Sequence, residues 1–256
     1  MTRKTDNGRR IKATETTFAV VETLADLECA RLSEIAAEVG IANSTASEHL
    51  STLQDHGYVV EDDDGYRLGL RFMDTGTQAK RYYDTLLSAS KPVLEQLVND
   101  TGETVNLITN ENNMAVYVDR LFGTRGVPTD SWVGKRRPLH MLAGGKAILA
   151  ELPEEELDAV VEEHGFPAAS EHTITSRDEL EAELETIREE GISFNDRESH
   201  KQIRAVGTAI VLDDGVYGSV SIAGPAQRFR GSYFREELPN MLLGVVNEIE
   251  LKLTYR

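Results

Sequence analysis

The sequence predicts an α+β protein of two domains, and three observations predict it. Apolar residues recur at helical spacing twice between Leu32 and Leu53, and a short β-hairpin follows directly. From Glu103 onward the pattern changes to β-rich runs separated by polar turns and amphipathic helices. At 256 residues the chain is long enough for two domains that each bury a core.

A first helix is expected from about Thr16 to Leu27, with Phe18, Val20, Val21, Leu24 and Leu27 turned toward a core. The second places Leu32, Ile35, Ala36 and Val39 at i, i+3, i+4 and i+7, is started by Ser33 with Glu34 in its first turn, and stops at Gly40. After Ile41-Ala42-Asn43, a third helix opens at Asn43 or Ser44. It buries Ala46, Leu50 and Leu53 and shows Ser44, Thr45, Ser47, Glu48, His49, Ser51 and Thr52. Gly57 ends it. Tyr58-Val59-Val60 then runs to an Asp64-Gly65 turn and returns through Tyr66-Arg67-Leu68, since Asp-Gly between β-rich runs signals a two-residue hairpin. Three helices and a hairpin in this order make a winged helix-turn-helix. Its third helix is of a size that the major groove, about 12 Å wide, admits.

Leu70 to about Tyr83 reads as a connecting helix. Leu86, Leu87, Ser90, Leu94, Leu97 and Val98 continue a helical stripe that Pro92 should kink or restart. Thr104–Thr109 and Ala115–Leu121 flank Asn110-Glu111-Asn112-Asn113 as a hairpin. A small-residue helix spans Leu142 to Leu152, and acidic amphipathic helices span Glu154 to Glu163 and Arg177 to Glu190. Strands Ala205–Leu212 and Val216–Ala223 meet across Asp213-Asp214-Gly215, and a last helix runs from about Arg235 to Tyr255. The second domain is therefore α/β with a mostly antiparallel sheet. The expected division is a basic disordered arm over 1–12, the winged domain over 13–70, a linker helix over 71–84 and the α/β domain over 85–256.

The net charge of −17 limits how such a chain meets nucleic acid. Residues 1–80 hold 9 Lys and Arg against 14 Asp and Glu, and only the arm, with Arg3, Lys4, Arg9, Arg10 and Lys12 against Asp6, is basic. Acid spread over both domains resembles proteins of salt-loaded cytoplasm, where screening over a few Å weakens repulsion from DNA and phosphate attraction alike. Base-edge and shape contacts then carry a larger share of binding. The candidate DNA contacts are Ser44, Thr45, Ser47, Glu48, His49 and Thr52 on the third helix, Arg67 on the hairpin, and Arg9 and Arg10 in the arm. Serine and threonine are mediocre helix formers, so several on one exposed face carry a cost that DNA contact would explain.

No apolar run reaches membrane-spanning length and no signal-peptide core follows Met1-Thr2-Arg3-Lys4, which points to a cytoplasmic protein without membrane partners. The single cysteine, Cys29, excludes an internal disulfide, and its neighbours Leu27 and Ala30 suggest a small buried hydrophobe. Gly144-Gly145-Lys146 is not a phosphate loop: His140 stands where the pattern needs glycine and Ala147 where it needs Ser or Thr. These small residues instead let a helix start lie close to a ligand or strand, and such a start favours an anion. Gly218-Ser219-Val220 departs from a nucleophile elbow, so no catalytic residue is assigned. His140, Glu198 and His200 leave a zinc site open as a minor alternative, and no cofactor is expected.

Several motifs in order are similar to those of the IclR family of transcriptional regulators. They are Leu32-Ser33-Glu34-Ile35-Ala36, Ser44-Thr45-Ala46, Gly57-Tyr58-Val59 with Tyr66-Arg67-Leu68-Gly69, and Thr101-Gly102-Glu103-Thr104. Further along come Gly134, Pro138-Leu139-His140, Gly145-Lys146-Ala147-Ile148-Leu149-Ala150, Ile187-Arg188-Glu189-Glu190-Gly191 and Ser221-Ile222-Ala223-Gly224-Pro225. The resemblance runs from about Thr16 to Leu251. It implies a GAF-like effector-binding domain after the winged helix and a homodimer or dimer of dimers on a pseudo-palindromic double-stranded DNA operator. It further implies a small-molecule effector, an organic acid or sugar-derived metabolite, against Leu139, Ala143, Gly144, Asn195, Asp196, Ile203, Ala205, Ser221 and Ala223. The family commonly has arginine where His49 stands, so that contact is weaker or pH-sensitive here. The alternative reading is a metabolic enzyme or sensor whose N-terminal domain only dimerises.

Overall fold

The computed structural model describes residues 10–255. Among these the chain divides into two compact units, one ending at Arg81 and one beginning at Tyr82. In the first, helices α1 (Lys12–Leu27), α2 (Leu32–Val39) and α3 (Asn43–Asp55) precede a hairpin of β1 (Val59–Asp62) and β2 (Gly65–Leu68), and α4 (Arg71–Lys80) follows. Val20, Leu24, Ala30, Ile35, Leu50, Leu53 and Val59 form the core. The helix-turn-helix and wing expected from periodicity are present.

Several details differ from the expectations, each for a local reason. α1 begins at Lys12 rather than Thr16, and residues 1–9 of the expected arm, Arg9 included, lie outside the described residues. Only Val20 and Leu24 of its stripe are fully buried. Phe18 is 62 % and Leu27 43 % exposed, because the short α2 and α3 cover only the middle of α1. α2 is capped by Arg31, not Ser33: Glu34 in its first turn accepts the Arg31 backbone N–H at 2.7 Å. Cys29 is exposed, not buried. The chain leaves α1 through Glu28 at φ +61°, and Ala30 turns inward in its place to bridge Tyr66.

The wing turn is Asp63-Asp64, since Asp62 pairs with Gly65. Asp64 is held by its backbone N–H to the Asp62 carboxylate at 3.2 Å. Gly65 sits one place beyond the turn at φ +138°, where a Cβ would lie 2.6 Å from the Ala30 carbonyl oxygen. Its role is to let the wing lie against that segment.

The second unit is a six-stranded antiparallel sheet in the order β5-β4-β3-β8-β7-β6. The strands are β3 (Thr104–Glu111), β4 (Met114–Phe122), β5 (Arg136–Pro138), β6 (Ser193–Asp196), β7 (Ile203–Leu212) and β8 (Gly215–Pro225). β3 and β4 join through Asn112 and Asn113 at φ +51° and +60°, the left-handed pair that a tight hairpin requires and asparagine tolerates. β5 and β6 were not foreseen. They are only three and four residues long, too short for alternation to register. Asn195 and Asp196 stand in β6.

Helices cover both faces, which is why β3 reads as a nearly continuous buried run. α5 (Asp84–Thr101) and α9 (Leu238–Thr254) pack on Val105, Leu107, Val206, Ile210, Val220 and Ile222. α6 (Ala143–Glu151), α7 (Glu154–His164) and α8 (Arg177–Glu190) pack on the face carrying Ile108, Ala115 and Tyr117. α5 runs through Pro92 without a break. Pro92 and Ser88, whose carbonyl loses its helical donor, are both exposed, so the freed carbonyl is not buried without a partner.

Candidate functional site

The first unit offers α3 as a surface element. Ser44, Glu48 and Thr52 are exposed, and Thr45 and Ser47 are half-buried. Thr52 Oγ1 donates to the Glu48 carbonyl at 2.9 Å, which partly occupies its hydroxyl. His49 is turned inward. Its Nδ1 lies 2.9 Å from Thr17 Oγ1, so the ring ties α3 to α1 instead of standing free on the outer face. Arg67 is exposed and reaches back across the wing to Asp62 at 3.1 Å, while Arg10 lies 3.6 Å from Glu15.

The second unit contains a cavity of about 80 Å³ on the α6 side of its sheet. A buried water needs roughly 10–15 Å³ by this kind of measure, so the space suits a ligand of a few to about ten heavy atoms. Its floor is Asn106 and Ile108 of β3, Ala205 of β7, and Ser221 and Ala223 of β8. Asn195 of β6, Ile203 at the start of β7 and Ala143 at the start of α6 close one side, and Ser199 and His200 approach from the β6–β7 loop.

Six of the nine residues that the resemblance implied are thus brought together: Ala143, Asn195, Ile203, Ala205, Ser221 and Ala223. Three are not. Leu139 is 1 % exposed and packs among the α6–α8 core. Gly144 faces β8, where a Cβ would stand 2.6 Å from Ser219 Oγ, so the small residues bring α6 onto a strand. Asp196 is taken by Arg204 at 2.8 and 2.9 Å and by Arg197 at 2.8 Å, which hold its carboxyl down to about 2.

The polar wall was largely missed. Arg120 of β4 reaches over the cavity with its Nε 3.1 Å from Asn106 Oδ1, and its terminal nitrogens bond the Ser131 carbonyl and the Thr129 hydroxyl. Every one of these partners is neutral. Burial accordingly pulls the guanidinium below its ordinary value, with only Tyr117 acting the other way. Asn106 Nδ2 donates to Ser221 Oγ at 3.3 Å, and Asn195 Nδ2 to the Met141 carbonyl at 2.5 Å. Arg137 also lines the space, and its charge is met by Asp130 at 2.7 Å. The one sequence signal for Arg120 was a charged residue in a strand otherwise rich in apolar residues.

Behind the cavity Lys146, fully buried, lies 2.8 Å from Glu183 and 2.9 Å from Glu198. Burial raises Glu198, with Lys146 opposing the shift. Glu198 in turn donates its backbone N–H to Asn195 Oδ1 at 3.1 Å. The three residues weighed for zinc are engaged separately. His140 Nε2 lies 3.2 Å from the Pro167 carbonyl, Glu198 is paired with Lys146, and His200 Nδ1 accepts the Gln202 N–H at 3.2 Å. Among the described residues no three His, Cys, Asp or Glu side chains are grouped to hold a metal. Among those residues, too, no helix is long and apolar enough to cross a membrane.

A winged helix with an outward-facing third helix, followed by an α/β unit with a partly open cavity of apolar walls and a few polar groups, defines a ligand-responsive DNA-binding transcriptional regulator. A family model described as the IclR helix-turn-helix domain matches residues 13–63, and one for the IclR C-terminal domain of bacterial transcriptional regulators matches residues 83–251. The chain belongs to the IclR family. It is 29% identical to the probable HTH-type transcriptional regulator ArcR of Halobacterium salinarum, over 96% of this chain and 95% of that protein. The crystal structure of Thermotoga maritima IclR superposes with a TM-score of 0.75 at 30% identity, covering 95% of this chain and 98% of that one. A Microbacterium hydrocarbonoxydans IclR homolog crystallised with 4-hydroxybenzoate shares the fold at 22% identity and a TM-score of 0.78, covering 95% and 100%.

Proposed function

We propose that this regulator binds a pseudo-palindromic operator as a homodimer or dimer of dimers and is switched by a small organic acid. The DNA contacts are assigned to Ser44, Thr45, Ser47 and Glu48 of α3, with Thr52 secondary, Arg67 and Arg10 on phosphates, and His49 acting through the α1–α3 packing. The protein carries out no catalysis and works in the cytoplasm.

The observation that carries the effector's chemistry is Arg120, a half-buried guanidinium over the cavity whose partners are all neutral. A carboxylate would supply the missing charge through a paired hydrogen bond, the geometry arginine favours. The N-terminus of α6, where Ala143 lines the space, adds a favourable dipole. The 4-hydroxybenzoate bound by the Microbacterium relative is an acid of about this size. Effector binding would change operator affinity through its preference for one of two arrangements of the protein.

Footprinting at high salt is expected to show two protected half-sites. A thermal-shift screen of small carboxylates should give a stabilising acid whose effect vanishes in Arg120→Gln. An acid that stabilises Arg120→Gln as well as the wild type would overturn the charge assignment. Absence of protection on any promoter, at any salt, would overturn the operator reading.

A further inference from the structure

A second concavity in the α/β unit, about 670 Å³, lies outside the effector cavity and has the opposite electrostatic character to the rest of the chain. It is formed by the β6–β7 loop, the start of β7 and the segment after β8, and its polar lining is Arg197, Lys201, Gln202, Arg204, Gln227 and Arg230. The chain carries 44 acidic against 27 basic residues, yet among the described residues no acidic side chain lines this bowl.

The one nearby carboxylate, Asp196, serves both Arg197 and Arg204 at 2.8 Å. Arg204 is fully committed, since it also donates to the Phe229 carbonyl at 2.8 Å and lies over the Phe234 ring. Lys201 and Arg230 are exposed, and among the described residues no ion pair holds either of them. Arg197 is held at φ +67°, a conformation that residues other than glycine rarely keep and one that recurs at binding sites. Four cations with one shared carboxylate repel one another unless an anion joins them.

We propose that this bowl is a second ligand site, for a compact, multiply charged anion of the phosphate-ester or polyphosphate class. Tetrahedral oxyanions match the forked donors of Arg197 and Arg230, Lys201 adds a mobile point charge, and Gln202 and Gln227 offer neutral donors. The bowl and the effector cavity share the β6–β7 loop. Arg197, Lys201 and Gln202 face the one, and Ser199 and His200 line the other. An anion in the bowl therefore acts on the wall of the effector cavity, giving the regulator a second input. This site stands independently of the effector's identity.

The test is thermal unfolding of the full chain with inorganic tripolyphosphate at about 1 mM, against chloride of equal ionic strength. The wild type is expected to gain about 3 °C or more over the chloride control. Lys201→Gln/Arg230→Gln should unfold at or above the wild-type temperature in chloride and lose the gain, and Arg120→Gln should retain it. Arg230→Gln alone should lose part of it, which keeps the test open if the double variant folds poorly. A wild-type gain no larger than in chloride overturns the proposal, as does an equal gain in the double variant. Loss of the gain in Arg120→Gln would move the anion to the effector cavity. A changed oligomeric state in the double variant without any anion response would make the bowl a contact between copies of the chain. Either outcome also overturns it.

Discussion

The two units differ in where their ion pairs lie. In the first, the ion pairs stand in water: Arg67 and Asp62 are 46% and 44% exposed, Arg10 and Glu15 79% and 53%. In the second, Glu103 is fully buried beneath a two-pronged Arg228 at 2.9 and 2.6 Å, and Lys146 is enclosed between Glu183 and Glu198. Exposed pairs contribute little stability and exchange readily for other partners. Buried pairs cannot be opened singly, because a charge without solvent or partner is left behind. The described ion pairs of the winged unit are thus free to change partners, whereas the α/β unit, beside exposed pairs such as Arg177–Glu181 and Lys252–Glu248, also holds two buried clusters that cannot exchange.

The strongest challenge to this contrast is Lys146→Met. It should destabilise the protein by about 3–5 kcal/mol in a denaturant titration, and Lys146→Met with Glu198→Gln should recover part of the loss. A cost below about 1 kcal/mol for the single variant would mean the buried cluster is not structural. Next comes Ser44→Ala/Thr45→Ala, which should leave the unfolding midpoint within about 0.5 kcal/mol of wild type. Operator affinity should fall tenfold or more, since a good base contact is worth about 1–3 kcal/mol. Unaltered affinity in a gel-shift assay would remove the start of α3 as the reading element.

The smallest effect sharpens the wing. Asp62→Asn, whose amide oxygen can still accept the Asp64 N–H of the wing turn, removes the charge that holds Arg67 with little change in stability, because the pair lies in water. If Arg67 then meets a phosphate, the slope of log affinity against log salt should steepen by about 0.9. An unchanged slope would show that the wing arginine never approaches the duplex.

The first unit was almost fully legible because its helices are short and their buried residues fall on clean stripes. Ala46, Leu50 and Leu53 were named from spacing alone and are the buried residues of α3. What periodicity misjudged there was context. Phe18 satisfies the stripe of α1 but no described residue covers it, and His49 has the pattern of a surface residue but lies within reach of Thr17. The cavity was legible only through motifs. Ala205, Ser221 and Ala223 gather because antiparallel register sets β7 beside β8, which resemblance captured. Arg120 comes from β4, whose hairpin with β3 was expected, but its role depends on neutral neighbours from a loop ten residues on, which no pattern marks. Lys146 reads as a surface residue in any helix, and only α8 and the β6–β7 loop make it a buried one.

The outward turn of Cys29 has a practical consequence. The chain contains one cysteine, and it lies exposed on the winged unit beside the Ala30–Tyr66 bridge. A thiol-reactive dye would therefore attach once per subunit, at a point fixed relative to α3. In the proposed dimer, energy transfer between two such dyes is a ruler for the separation of the reading heads. Its change on adding an acid or a polyphosphate would report directly how each ligand resets their spacing, with no further substitution in the chain.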